Sequence, residues 1–407
     1  MARIVVVGAG AAGVLAAIHA AQGGAETVLL ERTADGGRKI LISGGGRCNI
    51  LPARLDESRF VTDSSPHTLR QIIRAWPLPQ QIAFFERELG LALVEETATG
   101  KLFPVSNRAR DVRDGLLALA ARHGVQFRPG AAVTDAAPIA AGWQVSLASG
   151  AIHADALILA TGGLSVPQTG SDGRGLQIAQ RLGHTLHPTY AALTPLTADP
   201  APFGHLSGVS LPVTVAARDG ERSATASGGF LFTHRGYSGP TVLDVSHVAV
   251  RAASAGAAQI RVNWTGLDEA AWVEALRPDG TRNVAGVLRE RLPDRLALAL
   301  LAAASVEPGR PLAQLRRDER VRLIETLARG LLPWTGHEGY KKAEVTGGGV
   351  SLAEIHPRTM ESRRHPGLYL CGEMLDAFGP IGGYNFLWAW VTGRAAGRAA
   401  AGKGAGG

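Results

Sequence analysis

The chain has 407 residues, of which 45% are hydrophobic and 19% charged, and its 42 Lys and Arg against 35 Asp and Glu give a formal net charge of +7. This length predicts two or three domains, and the composition excludes a disordered or fibrous chain. Two cysteines exclude a disulfide scaffold and favour a reducing compartment. Core-like sequence begins at residue 3, and the longest apolar helical stretch, 296–306, is too short to span a bilayer. We therefore expect a cytoplasmic protein with no membrane partner, and we predict no metal site.

The first thirty residues predict a strand, a glycine turn, a helix and a second strand. Ile4-Val5-Val6-Val7 is followed at once by Gly8-Ala9-Gly10-Ala11-Ala12-Gly13 and an alanine-rich amphipathic stretch. In a dinucleotide fold the first glycine permits the tight turn, the second lets backbone approach a pyrophosphate, and the third lets the helix pack on the sheet. The free N–H groups of the helix start attract phosphate. Glu31 ends the second strand, where a carboxylate accepts hydrogen bonds from a ribose.

A second glycine-rich segment, 35–49, contains five glycines and three cations. Such a segment cannot be a regular helix or a central strand. Its successive N–H groups suit an anion-binding nest, to which the cations add. We interpret it as a loop that wraps cofactor phosphates rather than a flexible surface loop, because the apolar residues Ile40-Leu41-Ile42 lie inside it.

The next hundred residues alternate helical and strand-like patterns. Residues 66–123 are helical in pattern, interrupted by a hairpin-like pair within 94–105. Residues 126–133 predict one short strand region, and we expect Val133 to offer backbone groups to an adenine. Residues 143–154 alternate around a Ser-Gly turn and predict a hairpin. A buried strand then ends in Ala160-Thr161-Gly162-Gly163, whose small residues allow close passage beneath a cofactor.

The segment Gly170-Ser171-Asp172-Gly173-Arg174-Gly175 superficially suggests another phosphate loop. No strand precedes it, so we interpret it as a turn and the start of a glycine-rich helix.

The sequence changes in character near residue 188. Short β-like segments broken by Pro and Gly predict an antiparallel β subdomain, and helical patterns follow. The β-like segments are 193–196, 209–216, 224–233, 241–244 and 259–264, and the helical ones are 269–276, 284–291, 294–304, 312–315 and 318–329. The predicted parts are thus a discontinuous cofactor domain over 1–188 and 340–407, an inserted β subdomain over 189–265 and an inserted helical subdomain over 266–339.

The C-terminal part returns to the pattern of the first. A strand that contains Gly347-Gly348-Gly349 precedes another buried strand at 368–374, which ends at Gly372-Glu373. A glycine-rich loop over 376–385 leads into a final amphipathic helix over about 386–400. The fold class is therefore α/β, with a Rossmann-like domain built from both ends of the chain.

Taken together, these segments resemble the two-dinucleotide-binding-motif flavoproteins of the BaiN/RdsA class, also called YhiN-like flavoproteins. The resemblance spans essentially the whole chain in family order, and the Gly-Gly-Gly-Arg-Cys-Asn and Gly-Gly-Tyr-Asn segments are specific. The chain departs from the family at Leu51-Pro52 and after Glu373, which bears on the substrate more than on the cofactor. The matching segments are Gly8–Gly13, Gly44–Asn49, Thr233–Pro240, Val345–Val350, Leu368–Asn385 and Trp388-Ala389-Trp390.

The resemblance implies FAD as the cofactor and places the start of the last helix, Gly382–Asn385, opposite the isoalloxazine ring. A helix N-terminus there stabilises negative charge on the reduced ring. We predict that FAD is bound by Gly8, Gly10, Ala11, Ala12, Gly13, Glu31, Arg32, Arg38, Lys39, Ser43, Gly44, Gly45, Arg47, Asn49, Val133, Ala160, Thr161, Gly162, Gly372, Glu373, Gly382, Gly383, Tyr384 and Asn385.

Family members resembling this chain are linked to reduction of activated C=C bonds, in bile-acid enones and in a uridine of ribosomal RNA. The first hypothesis is therefore an FAD-dependent reductase of a small molecule, in which hydride passes from flavin N5. Cys48 is our candidate for the proton donor, since a thiol of suitable pKa donates protons well, and the alternative is a small packed residue. The second hypothesis makes ribosomal RNA the substrate, and the third is a non-catalytic flavin-binding or sensing protein. The electron donor is open between transiently bound NAD(P)H and a protein.

Overall fold

The computed structural model describes residues 1–254, 256–278 and 282–403. Two compact units are present: Met1–Ala191 with Glu344–Gly407, of which 404–407 lie outside the described residues, and Ala192–Ala343. The first unit is therefore built from both ends of the chain. The proposed split of the inserted region at residue 265 stays a prediction.

The elements follow one another in this order. The part before the insertion contains β1 (Arg3–Val7), α1 (Ala11–Gln22), β2 (Glu26–Leu30), α2 (Arg38–Ile42), β3 (Leu51–Pro52), α3 (Pro66–Arg74), α4 (Leu78–Ala83), β4 (Leu93–Glu96), β5 (Lys101–Pro104), α5 (Ala109–Arg122), β6 (Gln126–Arg128), β7 (Val133–Ile139), β8 (Gly142–Leu147), β9 (Gly150–Ala154), β10 (Ala156–Leu159), α6 (Arg174–Arg181) and β11 (Leu186–Ala192). The insertion contains β12 (Leu196–Thr197), β13 (Ser210–Asp219), β14 (Arg222–Thr233), β15 (Gly236–Ser238), α7 (Pro240–Val250), β16 (Gln259–Asn263), α8 (Glu269–Ala275), α9 (Val284–Arg289), α10 (Asp294–Ala303), α11 (Arg317–Arg329), β17 (Gly330–Leu331) and β18 (Gly336–His337). The last part contains β19 (Val345–Val350), β20 (Leu368–Leu370) and α12 (Tyr384–Lys403).

A five-stranded parallel sheet organises the first unit, in the order β20-β10-β1-β2-β6. Val6 of the central strand pairs with Ile158 on one side and Leu29 on the other. The central strands are runs of apolar residues because both faces of a parallel sheet are covered. The predicted Rossmann-like sheet is confirmed.

Helices α1 and α12 pack together against this sheet through small residues. A Cβ on Gly393 would lie 2.3 Å from the carbonyl oxygen of Ala12, and one on Gly397 would lie 2.2 Å from that of Ala16. These backbones can therefore approach so closely only because the side chains are absent. The indole N–H of Trp388, on the same helix, donates to Gly372 O at 3.0 Å.

Two smaller antiparallel sheets flank the parallel one, in the orders β3-β5-β4 and β7-β8-β9. The hairpin over 143–154 is confirmed as β8 and β9. The single strand region predicted over 126–133 is wrong, because β6 closes the parallel sheet while β7 joins the other sheet. Between β6 and β7, Gly130 N donates a hydrogen bond to Thr33 O at 2.9 Å. The local sequence pattern does not predict this contact between distant segments.

The second unit contains a seven-stranded sheet in the order β17-β16-β13-β14-β15-β12-β18, and its strands share one apolar core with α7 to α11. The predicted β segment 241–244 is wrong, because α7 occupies it. Its β-branched residues favour a strand, but Pro240 stands at the first helical position and Val242, Val245 and Val248 bury one helical face. The predicted segment 193–196 contributes only its last residue to a strand.

Substitution of Gly397 by Ala should destabilise the first unit by about 1–3 kcal/mol, because the added methyl group meets the backbone of α1. Gly402→Ala, on the same helix with no atom within 4 Å of the added carbon, is the matched control. Urea unfolding of both variants measures the difference. A Gly397→Ala protein as stable as Gly402→Ala would contradict the packing described.

Candidate active site

A cavity of about 550 Å³ opens in the first unit where β1, β2, β10 and β20 end. The carboxyl ends of parallel strands are the usual place for a ligand in such a sheet. This volume is within the range of cofactor sites. All predicted cofactor residues line the cavity except Gly13 and Tyr384.

The glycines of the first turn differ in their surroundings. A Cβ on Gly8, whose φ is +101°, would lie 2.5 Å from Ala160 O, and one on Gly13 would lie 1.8 Å from Gly8 O. Gly13 therefore permits packing of α1 on the turn and lies outside the cavity lining. A Cβ on Gly10 would meet no atom within 4 Å, so this glycine leaves open a space in the cavity wall.

The start of α1 presents unpaired backbone N–H groups to the cavity. Gly10 is the N-cap and no side chain caps the helix, while Ala11 and Ala12 line the cavity. The first N–H groups of a helix have no partner within it, and the dipole gives this end a partial positive charge. The arrangement suits the pyrophosphate of a dinucleotide.

Glu31 ties this turn to the end of β2. Its Oε2 accepts from Ala9 N and its Oε1 accepts from Thr33 N, both at 2.8 Å. The side chain is 8% exposed and lines the cavity. Each carboxylate oxygen has a second lone pair, so Glu31 can still accept from a ribose hydroxyl.

A network around Glu373 connects Lys39 of α2 with Ser165, which follows β10, and with Thr346 of β19. Its Oε2 accepts from Lys39 Nζ at 2.5 Å, and its Oε1 accepts from Ser165 Oγ at 2.5 Å and Thr346 N at 3.0 Å. Thr346 Oγ1 in turn accepts from Leu164 N at 2.7 Å. The charge of Lys39 balances that of the Glu373 carboxylate, so the two form an ion pair within the cavity wall.

The glycine loop after α2 turns at Gly44 and Gly45, with φ of +56° and +68°. Arg47 follows, with Cζ 4.0 Å from the Phe103 ring centroid and Nη1 3.0 Å from Glu96 Oε1. A Cβ on Gly45 would meet no atom within 4 Å, which leaves a second open space in the wall.

The loop before α12 is closed by Asn385. Its Oδ1 accepts from Gly379 N and its Nδ2 donates to Gly379 O, both at 2.9 Å. Asn49, with its amide oriented to satisfy both neighbours, accepts from Gly383 N at 3.0 Å and so joins the two glycine-rich loops. Tyr384 is buried instead, and its hydroxyl accepts from Asp56 N at 3.2 Å.

The structure does not bring Cys48 to the cavity. Its side chain is fully buried, and it is absent from the cavity lining. Burial raises the pKa of the thiol to about 12, opposed by a hydrogen bond with Ser43. A thiol with this pKa and no exposed surface is poorly suited to donate a proton, so the packed-residue interpretation is favoured over the catalytic one.

Several lining residues were missed in the sequence. Glu344 lies on the cavity wall, and burial raises the pKa of its carboxyl group, an effect that the charge of Lys39 only partly opposes. Lys101 and Phe103 reach the wall through β5. The segment interpreted as a turn also contributes to the wall, through Gly170, Ser171, Asp172 and Arg174. Glu344 directly precedes the triple-glycine strand, which is the one signal that could have marked it.

The residues present fit FAD. Gly10 and Gly45 leave room where a side chain would fill the cavity, and the bare N-terminus of α1 supplies donors for phosphate. Within the described residues, no group of three His, Cys, Asp or Glu side chains is arranged to hold a metal ion, and no helix is both long and apolar enough to cross a membrane.

Comparison with known proteins gives consistent matches over the whole chain. The family model HI0933-like protein Rossmann domain matches residues 2–399. A 3-dehydro-bile acid delta(4,6)-reductase of Clostridium scindens is 34% identical over 98% of this chain and 99% of its own length. A ribosomal RNA dihydrouridine synthase of Escherichia coli is 32% identical over 95% of both chains. The fold resembles a 3-ketosteroid-delta4-(5alpha)-dehydrogenase of Rhodococcus jostii, with a TM-score of 0.50, 17% identity, and coverage of 98% of this chain and 96% of that one.

Gly10→Ala should fold normally but bind FAD on the order of tenfold or more weakly, because its methyl group occupies cofactor space. Gly309→Ala is the control, since its added carbon also meets no atom within 4 Å and lies in the other unit. Thermal unfolding of the FAD-free proteins and titration with FAD separate stability from affinity. Equal FAD affinity in both variants would show that Gly10 does not border the cofactor.

Proposed function

Because the chain belongs to the HI0933-like family, it is an FAD-dependent oxidoreductase, and we propose that it reduces an activated carbon–carbon double bond. The observation that carries this proposal is the cavity at the strand ends, whose wall combines an uncapped helix start with open glycine positions. The relative from Clostridium scindens, a reductase by name, supports the reaction class.

We propose the following contacts with FAD. Ala11 and Ala12 would bind the pyrophosphate through their N–H groups, and Glu31 would accept from the ribose, as each position on the wall allows. Val133 would lie beside the adenine, and the segment Gly382–Asn385 beside the isoalloxazine ring. When bound and reduced by the electron donor, FAD would supply the hydride for the double bond and return to its oxidised form.

The protein's own contribution is electrostatic and positional. The N-terminus of α12 would favour negative charge near the ring, and the Lys39–Glu373 ion pair would hold another part of the cavity wall in place. The second requirement is a proton for the carbon next to the one that receives hydride. Glu344 is our candidate for that role, because its carboxyl group borders the cavity and its raised pKa retains the proton to higher pH.

The small-molecule and RNA alternatives differ in their substrates rather than in the reaction class. A 34% identical relative is named for a bile acid and a 32% identical one for ribosomal RNA, so we keep an activated enone as the main proposal and a uridine of RNA as the alternative. The net charge of +7 suits the polyanionic RNA of the alternative and does not exclude the enone. We further propose NAD(P)H as a transient electron donor and a cytoplasmic location, which the two buried, unpaired cysteines support.

The reaction class is tested by anaerobic reduction of the FAD-loaded protein with NADH or NADPH, followed by a steroid enone or by ribosomal RNA from cells lacking the gene. We expect the enone to reoxidise the protein. Reoxidation by RNA alone, lost in high salt, would instead establish the RNA alternative. Reoxidation by oxygen alone would contradict both and leave a flavin-binding protein.

Glu344→Gln should lower the rate of enone reduction by about 10²–10⁴-fold. Because the donor must be protonated, the wild-type rate should fall as pH rises through the Glu344 pKa, and the variant should lose that dependence. Cys48→Ala should keep the wild-type rate and pH profile, because this thiol is buried outside the cavity. Stopped-flow reoxidation across pH measures both. A large loss in Cys48→Ala with none in Glu344→Gln would reverse the assignment.

A further inference from the structure

A second cavity, of about 270 Å³, lies in the first unit beside the C-terminal half of α12. Three arginines, Arg358, Arg394 and Arg398, line it with Trp76 and small apolar side chains. It shares no lining residue with the first cavity. The reductase chemistry proposed above does not use it.

The guanidinium group of Arg394 is positioned by an aromatic ring rather than by a carboxylate. Arg394 and Arg398 are four residues apart and so lie on one face of α12. The Cζ of Arg394 lies 4.8 Å from the centre of the Trp76 ring, an arrangement that fixes a guanidinium group and leaves N–H donors available. Among the described residues, none forms an ion pair with the three arginines; Glu88 only influences Arg394 at longer range.

Besides burial, the positive charge of this arginine cluster lowers the pKa values of neighbouring groups. Burial and the charge of Arg398 lower the pKa of Arg394. The ring of His19 lies 6.1 Å from that of Trp76, and burial together with the charges of Arg394 and Arg398 lowers the pKa of His19 to about 4. Like charges four residues apart on a helix are destabilising, so this face of α12 carries an uncompensated cost.

The helix dipole of α12 does not explain why Arg394 and Arg398 are placed together. Cations stabilise a helix within its last turn, whereas Arg394 stands more than two turns before the end of α12 at Lys403. An anion in the pocket would offset the repulsion directly. Arginine forks match the oxygens of phosphate in geometry, and three of them around one pocket suit a phosphate better than a single carboxylate.

We propose that this pocket binds a phosphate ester of a nucleotide or a polynucleotide. Arg394, Arg398 and Arg358 would donate to the phosphate oxygens while Trp76 holds Arg394 in place. The site rests on its own geometry and does not depend on the reductase activity. It would provide an anchor for a phosphate-bearing partner outside the cofactor cavity.

The test uses the FAD-loaded protein, in which the first cavity is filled, and pyrophosphate as the probe at low salt. The double variant Arg394→Gln/Arg398→Gln should weaken pyrophosphate binding by tenfold or more in isothermal titration. The control Arg110→Gln/Arg122→Gln removes the same charge from exposed positions on α5. It should change the affinity for pyrophosphate less than twofold. Equal losses in both, or none in either, would overturn the proposal.

Two further arms identify the source of the phosphate. Weaker binding of a short RNA by the pocket variant alone would identify a polynucleotide, whereas weaker binding of NADP⁺ with unchanged binding of NAD⁺ would identify the 2′-phosphate of a nucleotide. Either result supports the site. If the double variant loses FAD or stability, Arg358→Gln, an exposed loop position, gives the same comparison, and unchanged pyrophosphate binding there would count against the proposal.

Discussion

The close approach of three backbone segments at the first glycine turn determines the rest of the first unit. Gly8 lies against the end of β10, and Gly13 brings α1 against Gly8, at separations that exclude any side chain. Gly393 and Gly397 extend this close packing from α1 to α12. These contacts fix the end of β10, helix α1 and helix α12 against one another. The starts of α1 and α12 therefore border one cavity at the strand ends. A single added methyl group in these contacts displaces backbone rather than side chains.

Two acidic residues at strand ends complete the frame of the cavity. Glu31 holds the glycine turn through Ala9 N, and Glu373 joins Lys39, Ser165 and Thr346. Both were predicted as ligands of the cofactor, and both are already engaged in hydrogen bonds with the protein. A carboxylate with spare lone pairs can serve both purposes, so their first role is to make the wall rigid before a ligand arrives.

The sequence predicted most of the parallel sheet and most of the cavity wall, because glycines, strand ends and helix starts are local signals. Contacts between distant segments were not visible in it. Cys48 lies within the glycine loop, yet its side chain is buried in the core. Lys101 reaches the cavity wall only because β5 pairs with β3 and β4. Glu344 was missed because its one local mark is its place directly before the triple-glycine strand, and that pattern does not show that the side chain lines the cavity. Residues 241–244 were assigned by β-branched composition, where burial at helical spacing decided the structure instead.

We propose that this cavity holds FAD with its pyrophosphate at α1 and its ring at α12, and a crystal structure of the FAD-loaded protein would show whether it does. We expect phosphate oxygens within hydrogen-bond distance of Ala11 N or Ala12 N, a ribose hydroxyl on Glu31, and the isoalloxazine ring beside Gly382–Asn385 in the cavity that Glu344 also lines. FAD bound in the opposite orientation, or outside this cavity, would contradict it.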